Sequence, residues 1–177
     1  MTVLDFPFRL PMTAEEFEQL PPIEGVRVEL SEGILELAAA AQMRWHALVM
    51  RRIANMFEAS GWEVSSETGV VLAPRTVREP DVTRFRRGAD PSVRRSQFDA
   101  ADVDLVVEIV SPESERRDRV IKPEEYAAAH IREFWLVEPH PDDDRDALIN
   151  IFRLTPRNNY AMVETVALSK LESEAHS

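Results

Sequence analysis

The chain has 177 residues, a formal net charge of −11, 44% hydrophobic and 30% charged residues, and no cysteine. That length suits one domain able to bury about 70% of its unfolded surface, and the missing cysteines exclude disulfides, thiolate zinc sites and cysteine nucleophiles and suit a reducing, cytoplasmic setting. The acidity argues against indiscriminate nucleic-acid binding, which needs positive charge, but leaves room for a local basic patch.

Met1 to Pro11 is apolar but interrupted by Asp5, Pro7 and Arg9, so it does not read as a signal peptide. No apolar run approaches the roughly 18 residues of a membrane span. The expected organisation is an N-terminal arm over 1–12, one domain over 13–168 and a frayed tail over 169–177. Thr13 followed by Glu16 has the capping-box pattern of a short helix that Pro21-Pro22 stop. Val26 to Leu30 and Ile34 to Leu37 alternate about Ser31-Glu32-Gly33, which predicts a hairpin with Arg27 and Glu29 on its polar side. Trp45, Leu48, Val49, Arg52, Ile53 and Met56 recur at helical spacing, predicting the longest helix over Ala38 to Ser60, stopped by Gly61. His46 lies beside that stripe, where a hydrogen-bonded structural role is the ordinary reading.

Two strand-like pieces, Trp62 to Glu67 and Val70 to Leu72, follow with a turn at Gly69. Pro80 forces Glu79 to be extended and places Asp81 at the start of a strand. Arg86 to Asp102 reads as a polar loop with a basic cluster at Arg86, Arg87, Arg94 and Arg95. The run Asp104 to Pro112, apolar apart from Glu108, predicts a strand buried on both faces. An ionised Glu108 there costs several kcal/mol unless a cation pairs with it. Pro123 suits the first turn of a helix reaching His130, and Glu133 to Val137 is a further strand. Strand, helix and strand make a βαβ unit with parallel strands. Asp142 to Asp144 reads as an acidic loop without EF-hand spacing, and Ala147 to Leu154 with Tyr160 to Leu168 as a closing hairpin.

Several sites are absent from the sequence: there is no phosphate-cradling glycine loop, no G-x-S-x-G elbow and no H-E-x-x-H pair. What remains is Glu29, Asp81 and Glu108 on predicted strands, with Lys122 nearby. Carboxylates at neighbouring strand ends suit Mg²⁺ or Mn²⁺. Solvated faces and salt bridges account for scattered charges equally well, and Asp118 with Lys122, four residues apart, could simply pair on a helix.

Three stretches carry a resemblance to a known family: Arg27 to Leu35 with His46, Glu79-Pro80-Asp81-Val82, and above all Asp104 to Pro112 followed by Arg117 to Pro123, Tyr126 and Glu133 to Pro139. The chain resembles the Uma-type restriction endonucleases, a bacterial family of the PD-(D/E)XK nuclease superfamily, from about Thr13 to Leu168. The resemblance implies an α/β (α+β), restriction-endonuclease-like fold with a central mixed sheet flanked by helices. It implies that Asp81, Glu108 and the backbone carbonyl of Ile109 hold Mg²⁺ or Mn²⁺. Lys122 then stands in for the superfamily lysine, whose usual position is Val110 here. Glu29 would be an accessory acid, and His46, Asp118 and Tyr126 would lie near the site. His130 and Arg132 depart from the Gly and Pro common in the family before the last core strand.

The expected function is therefore metal-dependent hydrolysis of DNA phosphodiesters, with Asp81, Glu108, Lys122 and Glu29 as the catalytic set. Arg84, Arg86, Arg87, Arg94, Arg95, Arg116, Arg117 and Arg119 are available for phosphate contacts. The alternative is an inactive nuclease fold serving as a binding or oligomerisation module, such as a homodimer.

Overall fold

Two mixed sheets flanked by helices account for most of the residues that a computed structural model describes, 9–39, 43–89, 91–92, 94–112 and 114–175. Helix α1 (Ala14–Glu18) opens on the expected capping box: the Glu16 N–H donates to Thr13 Oγ1 at 3.3 Å and the Thr13 N–H to Glu16 Oε2 at 2.8 Å. Strands β1 (Val26–Ser31) and β2 (Ile34–Ala39) form the hairpin, with Glu32 and Gly33 at φ 50° and 85° in the turn. A Cβ on Gly33 would stand 2.6 Å from Pro11 Cβ, because the preceding segment runs directly over this turn. Met12 is fully buried there and donates its N–H to Gly33 O at 2.8 Å. The end of the expected arm is thus part of the domain; residues 1–8 lie outside those described.

Helix α2 (Arg44–Ala59) is shorter than its pattern predicts. Ala38 and Ala39 complete β2, and 40–42 are outside the described residues. Its end is the expected one: Gly61, at φ 73°, donates to Glu58 O at 2.9 Å, and Trp62 donates to Phe57 O at 3.0 Å. Val49, Ile53, Met56 and Phe57 form its buried stripe.

The remaining elements are β3 (Val64–Ser66), β4 (Gly69–Ala73), β5 (Thr76–Arg78), β6 (Val82–Phe85), β7 (Gln97–Asp99), β8 (Val103–Ile109), α3 (Lys122–Ala128), β9 (Glu133–His140), β10 (Asp143–Leu154), β11 (Tyr160–Ala167) and α4 (Leu168–Ala175). The larger sheet runs β11-β10-β9-β8-β6-β3, the smaller β2-β1-β5-β4-β7. Strand β8 is the hub that its composition predicts, with all seven residues buried. Leu105, Val107 and Ile109 pack towards α2, while Val106 packs with Tyr126, Phe134 and Leu136 on the opposite face. It pairs parallel with β9 and antiparallel with β6, and α3 completes the βαβ unit.

Four local expectations need correction. Strand β5 is not evident in the sequence, because three residues are too short to show a period. The polar loop over 86–102 contains β7, which pairs parallel with β4, and a 3₁₀ turn at Ala100–Asp102. Asp143 and Asp144 open β10 rather than standing in a loop. The tail expected to fray is α4 as far as Ala175: Leu168 is fully buried, Leu171 packs on the core, and Arg52 on α2 binds Glu172 through two contacts of 2.9 and 2.6 Å. No helix among the described residues is long and apolar enough to cross a membrane.

Candidate active site

The carboxylate within the hub strand is fully buried, and its partners come from the crossover that follows. A π-helical turn at Arg117–Ile121 runs into α3 and sets Asp118, Lys122 and Tyr126 on one buried face. Such widened turns often occur at functional sites because they re-aim side chains. Lys122 Nζ lies 3.0 Å from Glu108 Oε2, 3.3 Å from Glu29 Oε1 and 3.4 Å from Asp118 Oδ1. The Tyr126 hydroxyl donates to Glu108 Oε1. Ser114 donates to Asp118 Oδ2, whereas Asp118 Oδ1 is buried without an aligned hydrogen bond despite its ionic contact with Lys122.

Asp81 precedes β6 and is 1% exposed. Its N–H donates to Val107 O at 3.0 Å, which pins it beside β8. Its carboxylate accepts from the Ile109 N–H at 2.6 Å and from Arg27 at 3.0 Å, and His46 Nε2 lies 3.2 Å away. Arg27 projects from β1 and also binds Glu67. Glu29, two residues along β1, is not on a solvated face as its alternation suggests. It is buried under α3 and β5, accepting from the Glu79 N–H at 2.9 Å and from Arg78 at 3.2 Å. Arg78, 1% exposed, also binds Glu36 at 2.7 Å and both oxygens of Glu125 at 2.7 and 2.8 Å.

Burial of this many charges sets their protonation. Burial first, then the charges of Asp118, Asp81 and Glu29, pushes Glu108 up to about 8 against the pull of Lys122. Burial alone would lower Lys122, but Glu108, Glu29, Asp118 and Asp81 together raise it well above an ordinary lysine. Burial would raise Asp81, yet His46, Arg27 and the Ile109 N–H hold it below its ordinary value. The ammonium therefore keeps its charge, and Glu108 is the carboxyl that most readily keeps a proton.

These groups line one cavity of about 420 Å³. Asp81, Glu108, Ile109, Lys122, Glu29, His46 and Asp118 all contribute to its wall, while Tyr126 acts from behind through Glu108. Five carboxylates, Glu29, Glu36, Asp81, Glu108 and Asp118, line it against the permanent cations Arg27, Arg117 and Lys122. With Glu108 protonated, four carboxylates still face three permanent cations, and their hard oxygens suit a divalent cation such as Mg²⁺ or Mn²⁺. Among the described residues no group of three or more His, Asp or Glu side chains is arranged to hold an ion unaided. The fit is thus to an ion that keeps most of its water or shares a ligand's phosphate, as Mg²⁺ commonly does.

Of the arginines considered for phosphate contact, Arg117 reaches this cavity, whereas Arg84, Arg86 and Arg87 line another at the far end of the sheet. Arg119 is taken up by Glu115 and Glu138. Sequence reasoning missed Arg27 and Arg78 as site residues. Arg27 had a signal, its position two residues from Glu29 on the same strand face; Arg78 had none, because β5 itself was not recognised.

A family model described as "Uma2: Putative restriction endonuclease" matches residues 14–175. Among solved structures, one described as a "putative nuclease belonging to DUF820", from Anabaena variabilis ATCC 29413, is similar with a TM-score of 0.61 and 18% sequence identity, covering 89% of this chain and 84% of that one. At that identity the likeness is one of fold. No curated protein matches the chain.

Proposed function

Because the chain belongs to the Uma2 family of restriction-endonuclease-like proteins, we propose that it is a metal-dependent endonuclease hydrolysing DNA phosphodiester bonds. The observation that carries this reading is the convergence of Asp81, Glu108 and Lys122 on one cavity with surplus negative charge. Asp81 and Glu108, with the Ile109 backbone carbonyl, would hold Mg²⁺ or Mn²⁺. When bound, such an ion polarises a phosphoryl oxygen and acidifies a coordinated water.

The protein's own groups do the rest. Lys122 Nζ, kept charged by its carboxylates, offers a donor to the attacking water or to a phosphate oxygen. Glu29 and Asp118 hold that ammonium from two sides, so it does not swing with solvent. Tyr126 fixes one oxygen of Glu108, and Arg27 with the Ile109 N–H fixes the rotamer of Asp81. Arg117 lines the same cavity and can meet a backbone phosphate.

The test is cleavage of supercoiled and linear DNA with Mg²⁺ or Mn²⁺ against a chelator control. Asp81→Asn and Glu108→Gln should each abolish cleavage while keeping a cooperative unfolding transition. Full activity in either folded variant removes the assignment. One observation favours a second reading, that of a binding or oligomerisation module: both oxygens of Asp81 and of Glu108 already have protein partners. That reading expects no heat on Mn²⁺ titration, no cleavage and a stable homodimer by light scattering.

A further inference from the structure

The other end of the larger sheet has the opposite charge. A cavity of about 720 Å³ there is lined by Arg84, Arg86, Arg87, Arg132, Arg153 and Trp62. They come from β6 and the loop after it, the turn before β9, the end of β10 and the approach to β3. Two carboxylates, Asp104 and Glu133, share that wall. Asp104 takes Arg84 at 2.6 Å and Arg132 at 3.3 Å, and Glu133 lies 3.8 Å from Arg153. Arg86 and Arg87 donate to backbone carbonyls, of Val103 and of Ser60 and Gly61, and neither forms an ion pair among the described residues. The wall thus carries net positive charge in a chain whose total is −11.

This arrangement is held in place. Trp62 carries two guanidinium groups, Arg84 at 4.3 Å and Arg87 at 3.7 Å from a ring centroid. Like charges gathered on one ring repel; Asp104 offsets Arg84, whereas Arg87 has no ion pair among the described residues. Arg84 Nε is buried with no hydrogen-bond partner among the described residues, and a buried donor left unmet is destabilising. Planar guanidinium forks match phosphate oxygens two at a time.

We propose that this arginine cavity is a phosphate-binding site, and that the phosphates it takes are those of a nucleic-acid backbone. The choice of nucleic acid over a free polyphosphate rests on the endonuclease reading; the phosphate chemistry does not. Binding here needs neither the acidic cavity nor a metal, so it can be measured with both silenced.

The experiment uses the full chain with Glu108→Gln in chelator, and titrates a fluorescent duplex DNA and, separately, tripolyphosphate, over a range of salt. Arg86→Gln and Arg132→Gln are introduced singly and together, with Arg75→Gln, exposed in the turn between β4 and β5, as control. The DNA affinity should fall with salt, and the log–log slope should shrink by about 0.9 for each arginine that meets a phosphate. The control should leave the slope unchanged. Should Arg86→Gln fail to fold, Arg132→Gln and Arg153→Gln decide, since those side chains are 73% and 67% exposed. Tripolyphosphate bound with loss in the arginine variants, but no DNA bound, keeps the site and makes a free polyphosphate its ligand. Binding of neither probe, or DNA binding indifferent to all these arginines, overturns the proposal. Arginine-dependent DNA binding in a wild-type chain that shows no cleavage with Mg²⁺ or Mn²⁺ would count against the endonuclease reading alone.

Discussion

Lys122 Nζ stands 3.0 Å from Glu108 Oε2 across 14 residues of chain, and both side chains are almost wholly buried. The buried ammonium depends on Glu108, Glu29 and Asp118 together. Lys122→Met should therefore cost about 3–5 kcal/mol, because Glu108, Glu29 and Asp118 lose their shared cation at once. Urea unfolding measures it. Glu108→Gln mimics the protonated carboxyl and leaves Glu29 and Asp118 on Lys122, so its cost should be the smaller. Equal and small losses in both would show that the pair does not hold the site together.

Protonation of the site gives the metal-free protein a pH-dependent stability. Burial lifts Glu108 to about 8 and Glu79 to about 7, both above the ordinary 4.5 that the unfolded chain adopts. Between those limits the folded chain keeps protons that the unfolded chain has released. The resulting stabilisation is complete below about pH 4.5 and is lost as pH climbs through about 8. Asp81 has the opposite sign: its folded value lies below the ordinary 3.8, so its contribution is present above that and fades in stronger acid. The urea midpoint in chelator should decline from about pH 5 to about pH 8.5, and Glu108→Gln should flatten the decline. A wild-type midpoint that rises over this interval contradicts the burial argument.

Arg78 ties β5 to the hairpin and to α3, since its contacts reach Ser31, Glu29 and Glu36 on one side and Glu125 on the other. Arg78→Lys retains the charge but loses the paired bonds to Glu125 and most of the reach. It should lower stability by about 2–4 kcal/mol, within the range for breaking a buried charge network. If the endonuclease reading holds, it should also lower activity, because Glu29 would lose a support. A variant as stable as wild type would mean that solvent already screens this network.

His130 occupies the left-handed region, at φ 59°, in the turn between α3 and β9. A Cβ costs about 1–2 kcal/mol in that conformation and glycine does not pay it, although glycine gives up part of the gain to chain entropy. His130→Gly should raise stability by about 0.5–1 kcal/mol, which for a chain of this size is roughly 2–4 °C in Tm per kcal/mol. A lower Tm on calorimetry would mean that the exposed imidazole makes an unrecognised contact.

Much of the fold could be read locally. The capping box at Thr13 and Glu16, the apolar run of β8 and the βαβ unit through α3 each carry their signal within a few residues. Strands β5 and β7 do not, because three residues hold no period and their places come from pairing partners distant in sequence. The site was legible in a different way. Glu108 stood out as a lone carboxylate in an apolar strand, and Asp81 and Lys122 through family resemblance, since spacing alone left those two ordinary surface charges. The burial of Glu29 could not be read, since alternation tells which face of β1 it occupies but not that Arg78 and Lys122 cover that face.

Strand β8 also works as a ruler. Asp104, tied to Arg84 and Arg132, and Glu108, tied to Lys122, are four residues apart and project from the same face. At roughly 3.3 Å per residue the two ends stand about 13 Å apart, the rise of about four nucleotides along a duplex strand. Ladders with β6 and β9 on either side lock that interval. An inserted or deleted residue between them would turn one of the two carboxylates into the opposite core, so loop lengths around this sheet can drift while that span cannot.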